Sequence, residues 1–205
     1  MKSVETGPRL LVSVLALGTT GRGRAAEYQI DPVHSNILFK VKHLGISTVM
    51  GKFDKFEGNF SFDEKNPKGD QVDVSIDTTS VDTQNDRRDT HLKSADFFEV
   101  DKYPTAKFTA KKASAMKDGK FQLTGNLTLH GVTKPVVLDV EYSGAVTDKM
   151  MGQRVAFTAT TEINRQDFGV KFNKVLDNGG AVVSDRVKLE LDIEGVVKKA
   201  DDDKK

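Results

Sequence analysis

The sequence predicts an all-β protein built from antiparallel strands, and three observations carry that prediction. Apolar and polar residues alternate with a period of two along many segments, which is typical of strands with one buried and one solvated face. Turn signals rich in Gly, Asn and Asp separate these segments. Hydrophobic residues make up 37% and charged residues 30% of the 205 residues, which is the composition of a globular protein and fits one domain.

Six segments show the alternation most clearly. In the first, Ile37, Phe39 and Val41 share one face of a strand. The others are residues 72–76, 121–129, 136–142, 155–163 and 187–193. Turn signals stand at residues 66–69, 117–119 and 177–180. A chain with about eight or nine strands and a single apolar face must close into a barrel or stack as a sandwich.

One segment departs from the strand period. The run from Thr83 to Leu92 is charged, and Asp86 begins a stretch that is compatible with a helical turn. We therefore predict one short helix followed by an irregular connection, around residues 84–99.

Both ends of the chain differ from the segment between them. Leu10 to Gly18 is a nine-residue apolar run preceded by Lys2 and Arg9, which suits the central region of a signal peptide and is too short for a membrane span. We predict a signal peptide over residues 1–26, a single domain over 27–198 and a charged tail over 199–205. This leader predicts export to the periplasm and is also compatible with secretion from the cell.

Composition excludes several kinds of chemistry. The absence of cysteine removes disulfides, thiolate metal sites and cysteine nucleophiles, and a net charge of +1 gives no reason to expect nucleic-acid binding. The four histidines lack the spacing of a compact metal motif, and Ser35 is not within a Gly-x-Ser-x-Gly motif. We predict no catalytic set, no metal, no cofactor and no integral membrane span.

The aromatic residues are mostly phenylalanine, twelve of them against three tyrosines and no tryptophan. Several lie in strand-like segments, namely Phe39, Phe53, Phe60, Phe108, Phe121 and Phe157. Two interpretations of these rings stay open. They fill the solid core of a sandwich, or they line an apolar tunnel inside a barrel.

Several motifs, taken in order, resemble the YceI-like family of exported bacterial proteins, which are also called polyisoprenoid-binding. The motifs are YQIDPVHS at 28–35, FKVKHLG at 39–45, GKFDKFEG at 51–58, SVDT at 80–83, RDTHLKSADFF at 88–98, YPTAKF at 103–108, GNLTLHGVTKPV at 125–136 and INRQDFG at 163–169. The resemblance spans roughly residues 27–198.

The resemblance implies more than the periodicity does. It implies an extended, lipocalin-like antiparallel β-barrel of eight strands whose lumen is an apolar tunnel. It implies a long-chain amphiphilic lipid as partner: a polyisoprenoid, an isoprenoid quinone-like molecule or a fatty amide. It also implies a periplasmic location and a homodimer.

The predicted ligand-binding residues form two groups. The expected phenyl wall consists of Phe39, Phe53, Phe60, Phe97, Phe98, Phe108, Phe157 and Phe168. The expected head-group residues are His43, Arg88, His91, Ser94, Asn164 and Arg165. Structural roles stay open for some of them: His43 braces its loop, Asp167 pairs with Arg165, or His91 caps the connection.

Three functions are compatible with these residues. The sequence favours a non-catalytic carrier that sequesters or transports the lipid, since it shows no pairing of a nucleophile with a base. The second is an enzyme, or an accessory to one, that acts on the head group of an isoprenoid or quinone. The third is an interaction module with a solid barrel core.

Overall fold

The structure is a computed structural model that describes residues 25–67, 70–175 and 181–198. The predicted leader lies outside the described residues except for residues 25 and 26. The predicted tail, the second half of the turn signal at 66–69 and the turn signal at 177–180 also lie outside them. The strands are β1 (Ala26–Ile30), β2 (Asn36–His43), β3 (Ser47–Phe53), β4 (Phe56–Phe62), β5 (Val72–Asp77), β6 (Val81–Asp82), β7 (Thr105–Ala113), β8 (Lys120–Leu129), β9 (Val132–Asp148), β10 (Gly152–Asn164) and β11 (Val183–Val197). The described part holds one α-helix, α1 (Asp86–Lys93).

Eight of these strands close a barrel through antiparallel pairs. The ring runs β1–β4–β5–β7–β8–β9–β10–β11 and returns to β1, where Tyr28 pairs with Val197. The predicted fold class, an all-β eight-stranded antiparallel barrel with one short helical connection, is therefore confirmed. Closure pairs the backbone donors and acceptors that an open sheet would expose along its edges.

The remaining strands extend one end of the barrel. β2 pairs with the part of β11 that β1 leaves free, β3 pairs with β2, and β6 pairs with β3. Strands β1 and β2 therefore form one broken strand along β11, and β3 with β4 and β5 with β6 are broken in the same way. The breaks let one sheet close the barrel at one end and splay outward at the other.

Helix α1 is the next element in the chain after β6, the last strand of the splayed end. Asn85 caps it, because its side chain accepts a hydrogen bond from the backbone N–H of Arg88 at 2.9 Å. The backbone N–H of Ser94 bonds to the carbonyl of His91 at the other end. The connection then turns through Phe97 and Phe98 before β7 begins, so the helix and this turn cover the space between β6 and β7.

Some inward-facing phenyl rings lie over a glycine of a nearby strand. Phe39 in β2 lies against Gly51, its direct partner in β3, and Phe60 lies against Gly195. Phe108 lies over Gly125, where an added Cβ would come within 2.5 Å of the ring. These positions have no room for any side chain, so glycine lets each ring lie close to the barrel wall.

We predict that Gly125→Ala destabilises the fold more than Gly51→Ala. At Gly125 the new methyl group would lie 2.6 Å from the backbone carbonyl of Thr109, which cannot move independently of β7. At Gly51 its nearest neighbours are side chains of Phe39 and Thr83. Urea unfolding should show a loss of about 1–3 kcal/mol in the free energy of unfolding for Gly125→Ala and a smaller loss for Gly51→Ala. Equal losses would contradict the packing described here.

Candidate functional site

The barrel interior holds two apolar cavities in line. The outer cavity, of about 360 Å³, lies at the end covered by α1, and the inner cavity, of about 160 Å³, lies deeper in the barrel. Ile37, Ile76, Leu127 and Leu189 line both cavities. The two cavities therefore adjoin at these residues, which we call the waist, and we refer to them as the outer and inner chambers of an apolar tunnel.

The outer chamber is lined by aliphatic and aromatic side chains from both sides of the splayed end. Phe39 and Phe53 come from β2 and β3, and their ring centroids are 5.7 Å apart. Phe98, in the turn after α1, packs edge-on against Phe53, and their ring centroids are 5.7 Å apart. Phe97 and Phe172 add two more rings, 4.9 Å apart. The tunnel wall here comes from segments far apart in the chain.

The inner chamber is lined by an aromatic group around Phe157 of β10. Phe60 and Phe62 meet Phe157 edge-on at 5.7 and 4.8 Å, and Phe121 does so at 6.4 Å. Phe108 of β7 and aliphatic residues from β1, β2, β5, β8, β9, β10 and β11 complete the wall. Edge-to-face packing fixes the orientation of these rings and leaves an apolar space between them.

Five polar side chains line the outer chamber, and we call this group the mouth of the tunnel. They are Lys42, His43, Arg88, His91 and Arg165. Lys42 and His91 are exposed, so the outer chamber reaches the surface here. The mouth is cationic, which suits an anionic or hydrogen-bond-accepting group on a ligand.

Arg88 is held by the start of the helical connection. Its Nε donates to Thr83 Oγ1 and its Nη2 donates to the Thr83 carbonyl, both at 2.7 Å. The buried carboxylate of Asp89 accepts from the Thr83 backbone N–H at 2.9 Å and from the Thr83 hydroxyl. These bonds fix the guanidinium, and its third nitrogen, Nη1, takes no part in the contact with Thr83.

His91 and His43 line the mouth from different elements, α1 and the end of β2. His91 Nε2 is 2.7 Å from Asp96 Oδ2, and its ring stands edge-on to Phe97 and Phe172 at 5.1 and 5.0 Å. The imidazole is therefore oriented by a carboxylate and by the aromatic wall. His43 ends β2 and is half-buried, and its carbonyl accepts from the Ile46 backbone N–H at 3.2 Å.

Arg165 is buried, and its guanidinium hydrogen-bonds to two separate segments of the chain, at residue 170 and at residues 184–185. It donates to the Val170 carbonyl at 2.7 Å, to the Ser184 carbonyl at 3.0 Å and to Asp185 Oδ1 at 3.0 Å. Desolvation lowers its pKa from the usual value, and Asp185 partly offsets this. Its carboxylate partner is Asp185 and not Asp167, so the pairing considered from the sequence is wrong.

Most of the predicted binding residues line the tunnel. Those in the outer chamber are Phe39, His43, Phe53, Arg88, His91, Phe97, Phe98 and Arg165. Those in the inner chamber are Phe60, Phe108 and Phe157. The structure thus brings together residues that are widely separated in sequence.

Three predicted residues line neither chamber, for identifiable reasons. The Ser94 hydroxyl donates to the His91 carbonyl at the end of α1. Asn164 caps the 3₁₀ turn of Arg165–Phe168 by accepting from the Gln166 N–H at 3.0 Å. Phe168 is 2% exposed and packs in the hydrophobic cluster around Leu127 and Ile163. These side chains support local structure instead of the tunnel wall.

Sequence reasoning missed several wall residues. Phe172 and Val170 line the outer chamber, and Phe62 lines the inner one. Phe62 continues the alternation of Phe56 and Phe60, so the strand period could have identified it. Phe172 lies in a segment without regular structure, and no periodicity could have placed it.

Asp70 is an ionisable group at the far end of the tunnel. It is 5% exposed and lines the inner chamber beside Ser61 and Phe62. Its carboxylate accepts the Asp63 backbone N–H at 3.2 and 3.3 Å. Burial raises the pKa of Asp70 to about 7, and nearby Asp63 and Glu27 contribute in the same direction. Nothing in the sequence around residue 70 predicted this.

A second polar cluster lies outside the tunnel. Asp31, His34 and Glu194 bring ligand atoms within 4.8 Å of one another, as a metal site would. Arg154 Nη1 is 2.8 Å from Asp31 Oδ2 and also bonds Glu194 Oε1. His34 and then Arg154 hold the pKa of Asp31 at about 2. The guanidinium supplies the positive charge that a cation would bring, so the cluster is an ion-paired corner between β1 and β2.

The closed barrel and its two adjoining apolar cavities define the molecule as a lipocalin-type barrel. Comparison with known proteins then assigns the family. The YceI-like domain family matches residues 28–195, and the chain belongs to that family, as the motifs predicted.

Three relatives show how far the similarity extends. The YceI protein of Salmonella arizonae is 45% identical over 186 residues, which cover 89% of this chain and 93% of that protein. The crystal structure of a Campylobacter jejuni YceI protein is 34% identical, with a TM-score of 0.64 over 77% of this chain and 90% of that one. A polyisoprenoid-binding domain from Saccharophagus degradans, implicated in plant cell wall breakdown, is 18% identical and shares the fold, with a TM-score of 0.63 over 85% and 99% of the two chains.

We predict that Asp70 makes the fold less stable as pH rises. Its pKa of about 7 is above the unfolded value, so the folded state binds the proton more tightly, and stability is lost as pH rises from about 4 through 7. Between pH 5 and 8 the free energy of unfolding of the wild type should fall by about 2–3 kcal/mol more than that of Asp70→Asn. Urea unfolding of both proteins across this range is the measurement, and parallel pH profiles would contradict the prediction.

Proposed function

We propose that this protein is a non-catalytic carrier that holds a long-chain amphiphilic lipid in its tunnel. The candidate ligands are a polyisoprenoid, an isoprenoid quinone-like molecule or a fatty amide. The observation that carries the proposal is the waist, where Ile37, Ile76, Leu127 and Leu189 line both chambers. Two aligned apolar chambers suit a long chain better than a compact ligand.

Burial of the lipid chain supplies enough free energy for tight binding. Each buried methylene contributes about 0.8 kcal/mol, so ten of them contribute roughly 8 kcal/mol before the cost of association. Few polar contacts are then needed for affinity. The polar groups at the mouth serve to choose among head groups.

The polarity of the tunnel sets the expected orientation of the lipid. Its apolar tail would pass the waist into the inner chamber, and its head group would stay near the mouth. Arg88 is the first candidate for contact, because Thr83 fixes its guanidinium while Nη1 stays outside that contact. A phosphate or an amide oxygen would accept a hydrogen bond there.

The Saccharophagus degradans domain is described as polyisoprenoid-binding, which supports the same class of ligand for this chain. We place the carrier in the periplasm on the basis of the leader-like run from Leu10 to Gly18. Homodimerisation stays a prediction from the family resemblance. Within the described residues, no helix is both long and apolar enough to cross a membrane.

The direct test is native mass spectrometry of the protein purified without detergent, followed by extraction and lipid analysis of what dissociates. We expect one long-chain adduct per chain, released unchanged on extraction. A protein that is purified without a bound lipid, and that also fails to bind added isoprenoids and fatty amides, would refute the carrier function. A chemically altered lipid that accumulates with time would instead favour the enzyme hypothesis.

We predict that Leu127→Trp shortens the lipid that the protein retains. The indole would fill the waist and exclude the chain from the inner chamber, and losing about four buried methylenes weakens affinity by about 3 kcal/mol, roughly 200-fold. The adduct mass should shift to shorter chains, or occupancy should fall. The matched control is Val137→Trp, because Val137 in β9 is 44% exposed and lines neither chamber. Unchanged adducts in a folded Leu127→Trp protein would exclude passage through the waist.

A further inference from the structure

We propose that the mouth end of the barrel docks on an anionic lipid bilayer through a rim of exposed apolar and basic side chains. The docking rim consists of Leu44, Ile46 and Val175 with Lys42, Lys171, Lys174 and Arg87. This inference rests on the proposed carrier function and adds the surface from which the lipid is loaded or to which it is delivered.

The apolar part of the rim is built from the turn between β2 and β3 and from the adjacent segment that carries Val175. Leu44 and Gly45 have φ of 53° and 73° and form the tight turn between β2 and β3, which leaves Ile46 at the tip. The Leu44 backbone N–H bonds to the Val182 carbonyl at 2.9 Å, and the Val182 N–H bonds to the Lys174 carbonyl at 2.9 Å. These bonds join the turn to the segment that carries Val175.

The apolar side chains of the rim face solvent. Ile46 is 83% exposed, Val175 69% and Leu44 39%. Large aliphatic residues grouped on a turn beside an apolar opening contribute little to the fold, and their grouping marks an interaction surface. Shallow insertion of such a tip into the headgroup region would bury it.

The charge around the tip identifies the partner. Lys42, Lys171 and Lys174 are exposed in the segments that form the rim, and Arg87 is exposed on α1 beside the mouth. Two carboxylates in contact with mouth residues are paired within the protein, Asp96 with His91 and Asp185 with Arg165. A positive rim around an apolar tip complements an anionic bilayer, because basic side chains are attracted to its surface and apolar ones enter it.

The rim adjoins the tunnel directly. Lys42 and His43 line the outer chamber, and Leu44 follows them in the chain. With the rim on a bilayer, the mouth would open toward the lipid phase, and an apolar chain would pass between membrane and tunnel without crossing bulk water. The opposite end of the barrel offers an internal control, since Met150 in the turn between β9 and β10 is 95% exposed.

The test is co-sedimentation of the intact protein with vesicles of phosphatidylcholine alone or with phosphatidylglycerol added. We expect binding to the anionic vesicles that weakens with salt. Ile46→Asp should reduce the partition coefficient at least tenfold, while the matched variant Met150→Asp leaves it unchanged. Lys171→Gln combined with Lys174→Gln should weaken binding to the anionic vesicles only.

Other outcomes separate the alternatives. Equal partition of Ile46→Asp and Met150→Asp, or no vesicle binding by the wild type, would overturn the docking rim. A change from dimer to monomer on Ile46→Asp, with vesicle binding unaltered, would show that a second copy of the chain covers this surface. Native mass spectrometry of the same variants keeps the two proposals apart, because Ile46→Asp should retain the lipid adduct. If the wild-type protein carries a lipid adduct but does not bind vesicles, the docking rim is refuted and the carrier function is not.

Discussion

The tunnel depends on phenyl rings whose tips lie against glycine positions of the barrel wall. Phe39 over Gly51, Phe60 over Gly195 and Phe108 over Gly125 all follow this arrangement. A ring projecting from a residue opposite any larger side chain would be pushed toward the axis and would fill the lumen. With glycine beneath them, the rings provide an apolar lining and still leave space for a chain.

The breaks in the strands determine where that space reaches the surface. Asp31, Arg154 and Glu194 form an ion-paired corner between β1 and β2. Thr78 is 1% exposed and holds the break between β5 and β6, because its hydroxyl donates to the Tyr103 carbonyl at 2.8 Å. At these corners one edge of the sheet leaves the closed ring and splays outward. Helix α1 and the turn that carries Phe97 and Phe98 then line the opening.

The polar groups of the tunnel divide into two sets with different consequences. Two of those at the mouth are cationic and already hydrogen-bonded within the protein, Arg88 to Thr83 and Arg165 to Asp185. They are therefore held in place before a ligand arrives, which lowers the cost of ordering them. Asp70 lines the inner chamber, where burial raises the pKa of its carboxyl to about 7, so that it is near the boundary between charged and neutral at neutral pH.

The sequence by itself determined the strand pattern, the short helix and the membership in a family of hollow barrels. These follow from local regularities: a period of two in runs such as residues 187–193, a charged break before α1, and motifs that keep their order. It also placed Phe39 and Phe157 on the apolar faces of their strands and Phe60 in a strand-like segment. Only the tertiary structure showed that these rings line two apolar cavities, since that depends on contacts with residues of neighbouring strands, glycines among them. It also showed that Ser94, Asn164 and Phe168 support local structure while Asp70 and Phe172 line the tunnel. The direction of a side chain outside a regular strand is set by contacts between distant segments, and no period in the chain encodes those contacts.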